Sequence, residues 1–279
     1  MVTTAALCLC NDTRFSDPKQ SLIHLRAAEH YGKQFVRASS QQLQSLDKGD
    51  GAINLTCSRL LTILSFAWFR VYQRYDGVTI VDREAWTWLH MLRGSGMVHD
   101  RYRDAGETVT EALANELLTE APSAGTNDAY KLKPPFQLIQ QSRQRRFAAL
   151  YDAVSTRRAI LGKQAAEQLV SAIRALDDIT EHLCSDHATS LLRALCTWPC
   201  AISKGYVDML TSGHILALAV YAHWLMLVVL AEDAWFIGDM GQAGIREIVD
   251  RCNEEPAVDV ERALLYWAQQ TLDNNQTCK

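Results

Sequence analysis

One histidine lies in the middle of a long apolar segment, where an imidazole could hydrogen-bond a ligand or transfer a proton. His223 is followed directly by Trp224, and Trp235 and Phe236 come about three helical turns later. Aromatic and aliphatic walls with few polar groups are typical of pockets for sterol-like or terpenoid molecules. His223 is therefore the candidate proton donor if the protein is an enzyme, while core packing is the simpler role for these side chains.

Three carboxylates in the segment Asp177-Asp178-Ile-Thr-Glu181 form the most acidic candidate site. The segment resembles the aspartate-rich box of terpene cyclases, in which carboxylates on one helix face hold Mg²⁺ against a diphosphate. That chemistry also needs a second metal-binding sequence downstream, and we find none. We interpret the three carboxylates as a solvated helix face.

The cysteines and histidines do not have metal-ligand spacing. No C-x2-C pair occurs, and Cys8-x-Cys10 and Cys196-x3-Cys200 lack partners at suitable spacing. His182 and His187 are five residues apart, which puts them on different helix faces. We predict free or buried thiols, no metal and no cofactor. The eight cysteines are Cys8, Cys10, Cys57, Cys184, Cys196, Cys200, Cys252 and Cys278.

The composition is that of a globular protein without a nucleic-acid surface. The 279 residues are 48% hydrophobic, enough for a sizeable core, and the net charge is -4. Because DNA binding depends on neutralising phosphates, we expect no direct nucleic-acid binding. The basic run Arg143-Gln-Arg-Arg146 is interpreted as a solvated helix face. The first residues make a poor signal peptide, which favours an intracellular protein, nuclear or cytoplasmic.

Helical periodicity runs along the chain, and we find no strong alternating strand pattern and no internal repeat. The predicted fold class is all-α: a single domain, residues 1–279, of layered, packed helices with a central apolar helix. Segment 121–135 has loop composition and contains Pro134-Pro135, so we predict a mobile link there. The predicted helices cover approximately residues 21–46, 52–74, 82–93, 107–120, 136–151, 156–185 (as one helix or more), 188–195, 203–211, 215–235, 242–253 and 258–272.

The apolar stretch Ile215–Ala231 has about the minimum length of a membrane span. However, His223 lies in its middle, Glu232-Asp233 follow it, and no basic residues flank it. We therefore predict a buried core helix and no membrane span.

Several short motifs occur in an order that resembles the C-terminal regulatory domain of fungal zinc-cluster transcription factors, the group that includes the sterol uptake control proteins. They are Ala27-Ala-Glu-His-Tyr-Gly32, Trp88-Leu-His-Met-Leu-Arg-Gly94, Cys196-Thr-Trp-Pro-Cys-Ala-Ile-Ser203, the apolar helix with Glu232-x-x-Trp-Phe236 and Gly238-x-x-Gly241, and Leu265-Tyr-Trp267. The resemblance covers most of residues 20–270. It departs from the family in lacking the cysteine-rich DNA-binding segment and in having Asp239 and Met240 where Gly-Trp is usual.

The resemblance implies a hydrophobic small-molecule-sensing transcriptional regulatory domain without its own DNA-binding module. Its partners would be a sterol-like or terpenoid ligand and either a second copy, as a homodimer, or a co-regulator protein. The expected pocket lies between the helix 215–235 and the turn that follows, and a hydroxyl of the ligand would contact His223 or Glu232. The implied ligand-binding residues are His223, Trp224, Glu232, Trp235, Phe236, Gly238, Met240 and Gly241.

The alternative function is a stand-alone enzyme of secondary metabolism that reuses this fold around an apolar cavity. It would be a cofactor-independent cyclase, pericyclase or isomerase acting on a terpenoid or polyketide, because a closed cavity can hold a flexible substrate in a near-attack shape. The chain could also be a fragment of a longer regulator. Sequence alone does not separate these alternatives.

Overall fold

A computed structural model describes residues 2–13, 16–44, 60–70, 89, 129–185, 191–254 and 259–276. Helices and short turns make up all of these residues, and no strand occurs among them. The predicted all-α class is therefore confirmed. The chain packs as two compact units, which are described separately below. The single-domain assignment stays a prediction.

The first unit contains α1 (Val2–Thr13), α2 (Pro18–Gln44), α3 (Leu60–Arg70) and the short segment Ala234–Phe236. Helix α2 begins where the side chain of Asp17 accepts a hydrogen bond from the amide of Gln20, at 3.0 Å. Gly32 lies directly against the Trp68 ring and leaves no room for a side chain. This absence of a Cβ lets α2 pack closely on α3.

The second unit contains one 3-10 turn, Ala129–Leu132, and eight helices in the described residues. The helices are α4 (Pro134–Thr156), α5 (Arg158–Leu161), α6 (Lys163–Cys184), α7 (Leu191–Ala201), α8 (Lys204–Thr211), α9 (Ile215–Val229), α10 (Met240–Glu254) and α11 (Asp259–Gln276).

Helix α9 is the centre of this second unit. It packs against α4, α6, α7, α8, α10 and α11. Every residue from Leu216 through Leu230 is buried. A helix that is apolar all round must be covered all round, and this explains why one element contacts six others.

The structure differs from the expected loop at 121–135 in the last part of that segment. Residues 121–128 lie outside the described residues, but 129–132 form the 3-10 turn and Pro134 begins α4. Proline suits this place because the first amides of a helix have no intrahelical partner to lose. The proline pair therefore starts a helix, where the sequence interpretation expected a stop.

The boundaries of three other helices differ from the prediction. Gly162, with φ of 77°, separates α5 from α6 within the predicted range 156–185. Helix α7 continues through Pro199 to Ala201. The helix predicted over 215–235 ends at Val229, because the next amides bond three residues back instead of four. The helices predicted near 82–93 and 107–120 lie outside the described residues, apart from the helical Leu89.

Within the described ranges, no single helix has the length and apolar character needed to cross a membrane. Helices α8 and α9 reach that threshold only as a pair, and the pair is bent by 103°.

Candidate functional site

Helix α9 presents His223 and Trp224 to different neighbours. Successive helical residues point about 100° apart, so the two aromatic side chains cannot share a direction. Trp224 reaches α7, where its indole nitrogen donates to the carbonyl of Leu195 at 3.2 Å. His223 stacks on Trp267 of α11, with ring centroids 5.1 Å apart. The sequence prediction placed His223 and Trp224 at one site, and the structure gives each its own surroundings.

Trp224 belongs to a cluster of fully buried aromatic rings. Its ring stacks on Trp198 at 5.5 Å and on Tyr221 at 5.5 Å, and Trp198 meets Tyr206 edge-to-face at 5.7 Å. Each of these four side chains is 0% exposed. These four rings lie in the interior of the second unit. Trp224 therefore packs there as a core residue.

Three side chains of this aromatic cluster donate hydrogen bonds to backbone carbonyls. Trp198 donates to the carbonyl of Ala172 at 2.9 Å, and the hydroxyl of Tyr206 donates to that of Ala217 at 2.8 Å. Burial raises the pKa of Tyr206 well above its ordinary value, so the phenol keeps the proton that it donates. Trp198 and Tyr206 therefore tie α7 and α8 to α6 and α9. The four aromatic residues have no regular spacing in the sequence, so this role could not be assigned to them from sequence.

Proline and tryptophan complement each other between α7 and α9. Pro199 has no amide hydrogen, so the carbonyl four residues earlier, that of Leu195, receives no helical hydrogen bond from it. The indole of Trp224 donates to this same carbonyl. The Trp-Pro motif thus leaves a buried acceptor in α7, and Trp224 satisfies it.

We expect Trp224→Phe to lower the free energy of unfolding by about 1–3 kcal/mol, because the buried carbonyl of Leu195 loses its donor. Adding Pro199→Ala should recover part of that loss, because alanine restores the amide. Urea unfolding of the parent, both single variants and the double variant measures the coupling. Additive effects of the two substitutions would contradict this pairing.

His223 is a buried imidazole with one ring nitrogen bonded and the other not. Its Nδ1 lies 2.8 Å from the carbonyl of Ala219, which can only accept, so Nδ1 carries the proton. The Nε2 atom is then an acceptor, and no described residue donates a hydrogen bond to it. Most buried polar atoms are paired, so this nitrogen is an exception among the described residues.

The pKa of His223 is lowered to about 3, first by burial and then by the positive charge of Arg146. The imidazole is therefore neutral at physiological pH, and Nε2 has no proton to give. This argues against His223 as a proton donor and favours it as an acceptor for a hydroxyl or amide of a ligand.

Arg146 is the residue that the sequence interpretation misplaced. It is only 6% exposed, although the run Arg143-Gln-Arg-Arg146 was expected to be solvated. Its position is seven residues after Ile139 and four before Leu150, both buried in α4, so helical spacing could have placed it on the apolar face. Its guanidinium lies over the Trp267 ring, with Cζ 3.9 Å from the ring centroid. Trp267 is thus shared by Arg146 and His223.

The other predicted ligand residues lie in the turn after α9 and at the start of α10. Glu232 accepts a hydrogen bond from Gln242 at 2.7 Å. Gly238 has φ of 52°, a left-handed conformation that favours glycine. Met240 is fully buried. A Cβ on Gly241 would lie 2.8 Å from the carbonyl of Leu225, so this glycine lets α10 pack on α9.

Trp235 and Phe236 pack with the first unit. The ring centroids of Phe236 and Phe66 are 6.4 Å apart, and Trp235 meets Phe236 edge-to-face with ring centroids 5.8 Å apart. Their predicted role as ligand walls stays a prediction.

The acidic segment of α6 binds arginine. Arg143 forms ion pairs with Asp177 at 2.7 Å and with Glu181 at 3.2 Å.

Cys196 and Cys200 lie one turn apart in α7, with the thiol of Cys200 donating to the carbonyl of Cys196 at 3.1 Å. Within the residues that the structure describes, no three acidic, histidine or cysteine side chains are placed to hold a metal ion.

No protein-family model matches the chain, and neither a curated protein nor a solved structure matches it.

Proposed function

We propose that this chain is a regulatory domain that senses a hydrophobic small molecule and that works in transcription through a partner that binds DNA. The single observation that carries the ligand-binding part is the Nε2 of His223, at the centre of the apolar helix α9, to which no residue in the described part of the chain donates a hydrogen bond. The order of sequence motifs supports the regulatory part. The net charge of -4 supports assigning DNA binding to a partner.

A ligand hydroxyl that donates to His223 fits a neutral imidazole with its proton on Nδ1. The neutral imidazole offers one lone pair at a buried position, where a hydrogen bond is stronger than in water. Stacking on Trp267 holds the ring, and the bond to Ala219 fixes which nitrogen accepts. A ligand with a hydroxyl on an apolar body, such as a sterol, terpenoid or polyketide, satisfies these features.

A thermal-shift screen tests this proposal with hydroxylated sterols, terpenoids and polyketides, each beside its O-methyl ether. A ligand at 100 times its Kd adds about 2.7 kcal/mol to the stability of the folded state. For a protein of this size, that raises Tm by about 5 °C or more. Because the ether cannot donate to Nε2, we expect it to shift Tm much less than the parent alcohol.

His223→Phe should remove the difference between the alcohol and its ether, since phenylalanine keeps the ring and lacks the acceptor. Thr180→Val is the matched control, because Thr180 is buried and also bonds a carbonyl four residues back, at 2.7 Å. If no compound stabilises the parent, or if alcohol and ether shift Tm equally in it, the proposal fails.

A further inference from the structure

The burial of Arg146 indicates which chemical group the ligand carries, on the premise that the domain binds a hydrophobic molecule. Arg146 is a buried cation, and within the described part of the chain no carboxylate pairs with it. Asp177, whose negative charge acts on Arg146, forms its ion pair with Arg143 instead, as does Glu181. Burying a charge without an opposite charge is costly. An anion supplied by a bound molecule would offset that cost.

The guanidinium is already held in a fixed orientation. Its Nε donates to the hydroxyl of Ser142 at 3.0 Å, and its Nη2 donates to the carbonyl of Ile139 at 3.1 Å. Both acceptors belong to α4 itself and are neutral. No hydrogen bond found in the described residues uses Nη1, so the N–H groups of Nη1 can still donate to a bound molecule.

Trp267 covers one face of the Arg146 guanidinium, and this contact does not block an approach of a ligand within the guanidinium plane. The Cζ atom lies 3.9 Å from the ring centroid, which is a cation-π contact. Carboxylates approach arginine edge-on, in the guanidinium plane. Trp267 is only partly buried, so the indole borders solvent, and an apolar chain could pack along it.

Within the described residues, the two polar side chains on the Trp267 ring each keep unused hydrogen-bonding capacity, and of opposite kinds. Arg146 has donors to spare, and His223 has an unused acceptor. We propose that Arg146 binds the carboxylate of the ligand, which makes the ligand an amphipathic organic acid. This inference rests on the proposed function, and it adds a charged head group to the apolar body.

Calorimetric titration with decanoate and with 1-decanol, both below their aggregation limits, tests whether the site prefers a negatively charged head group. The two probes share one chain length and differ in the head group. We expect the parent to bind decanoate at least about tenfold more tightly than decanol, as a charge-assisted hydrogen bond implies. Equal affinity for the two probes, or no binding of decanoate, would overturn the inference without any variant.

Arg146→Met should weaken decanoate binding by about 10- to 100-fold and leave decanol binding unchanged. Arg143→Met, one turn away on α4, is the matched control and should change decanoate affinity by less than about threefold, because its partners are protein carboxylates. Arg146→Lys keeps the charge, and it replaces Arg146→Met if the methionine variant does not fold. It should retain the preference for acid over alcohol.

The outcomes separate this inference from the proposed function. If neutral hydroxylated compounds bind through His223 while Arg146→Met has no effect on decanoate, the sensing function stands and the acid class is wrong. If decanoate binding depends on Arg146 while His223→Phe leaves all binding unchanged, the anion site stands and the proposed hydroxyl contact is wrong.

Discussion

Leu225→Asp is expected to prevent stable folding of the second unit. Leu225 is 0% exposed in the middle of α9, surrounded by other apolar side chains. An unpaired carboxylate there costs several kcal/mol, which is a large share of the total stability of a typical domain. Circular dichroism during thermal unfolding should show a lost or strongly lowered transition.

Leu132→Asp is the matched control for that substitution. Leu132 ends the 3-10 turn before α4 and is 81% exposed. The same chemical change at this position should alter the free energy of unfolding by less than about 0.5 kcal/mol. If the Leu225 variant unfolds at the same temperature as the parent, α9 is not a core helix.

Trp198→Ala should have the second largest effect, a loss of about 3–5 kcal/mol in the free energy of unfolding. The ring is 0% exposed and contacts Tyr206, Tyr221 and Trp224. Truncation also removes the hydrogen bond to the carbonyl of Ala172. Urea unfolding followed by circular dichroism measures the change.

Tyr266→Ala serves as the comparison for Trp198→Ala. Tyr266 is 39% exposed on α11, and its hydroxyl bonds the side chain of Asn253 at 2.9 Å. Loss of a partly exposed aromatic side chain should cost about 1 kcal/mol or less. Similar costs at the two positions would show that the aromatic cluster is not the stabilising centre.

Sequence periodicity was sufficient for the all-α class and for the burial of α9, because an uninterrupted apolar helix has only one stable environment in water. The residue at which α9 ends was not predictable from the sequence. The side-chain amine of Lys133 donates to the carbonyl of Leu230 at 2.9 Å and pairs with Asp233 at 2.6 Å. These contacts join residues about 100 positions apart, and local sequence patterns contain no information about such pairs.

The candidate site was predicted in part. His223 was identified as a polar residue in an apolar helix, but its neighbours come from α4 and α11, which are remote in sequence. Arg146 was missed because a run of basic residues usually faces solvent, and the spacing from Ile139 is the signal that could have corrected this. Helix α1 was missed because its short apolar run has no clear helical period.

Nitrogen NMR of the histidine side chains tests the central claim most directly, with His223→Phe used to assign the ring. Between pH 5 and 8, we expect His223 to remain neutral with its proton on Nδ1, since a pKa of about 3 lies below that window. Adding a hydroxylated compound that stabilises the protein should move the Nε2 resonance, and its O-methyl ether should not. A His223 that titrates near its ordinary pKa, or an Nε2 resonance unchanged by every stabilising compound, would contradict a ligand site at this residue.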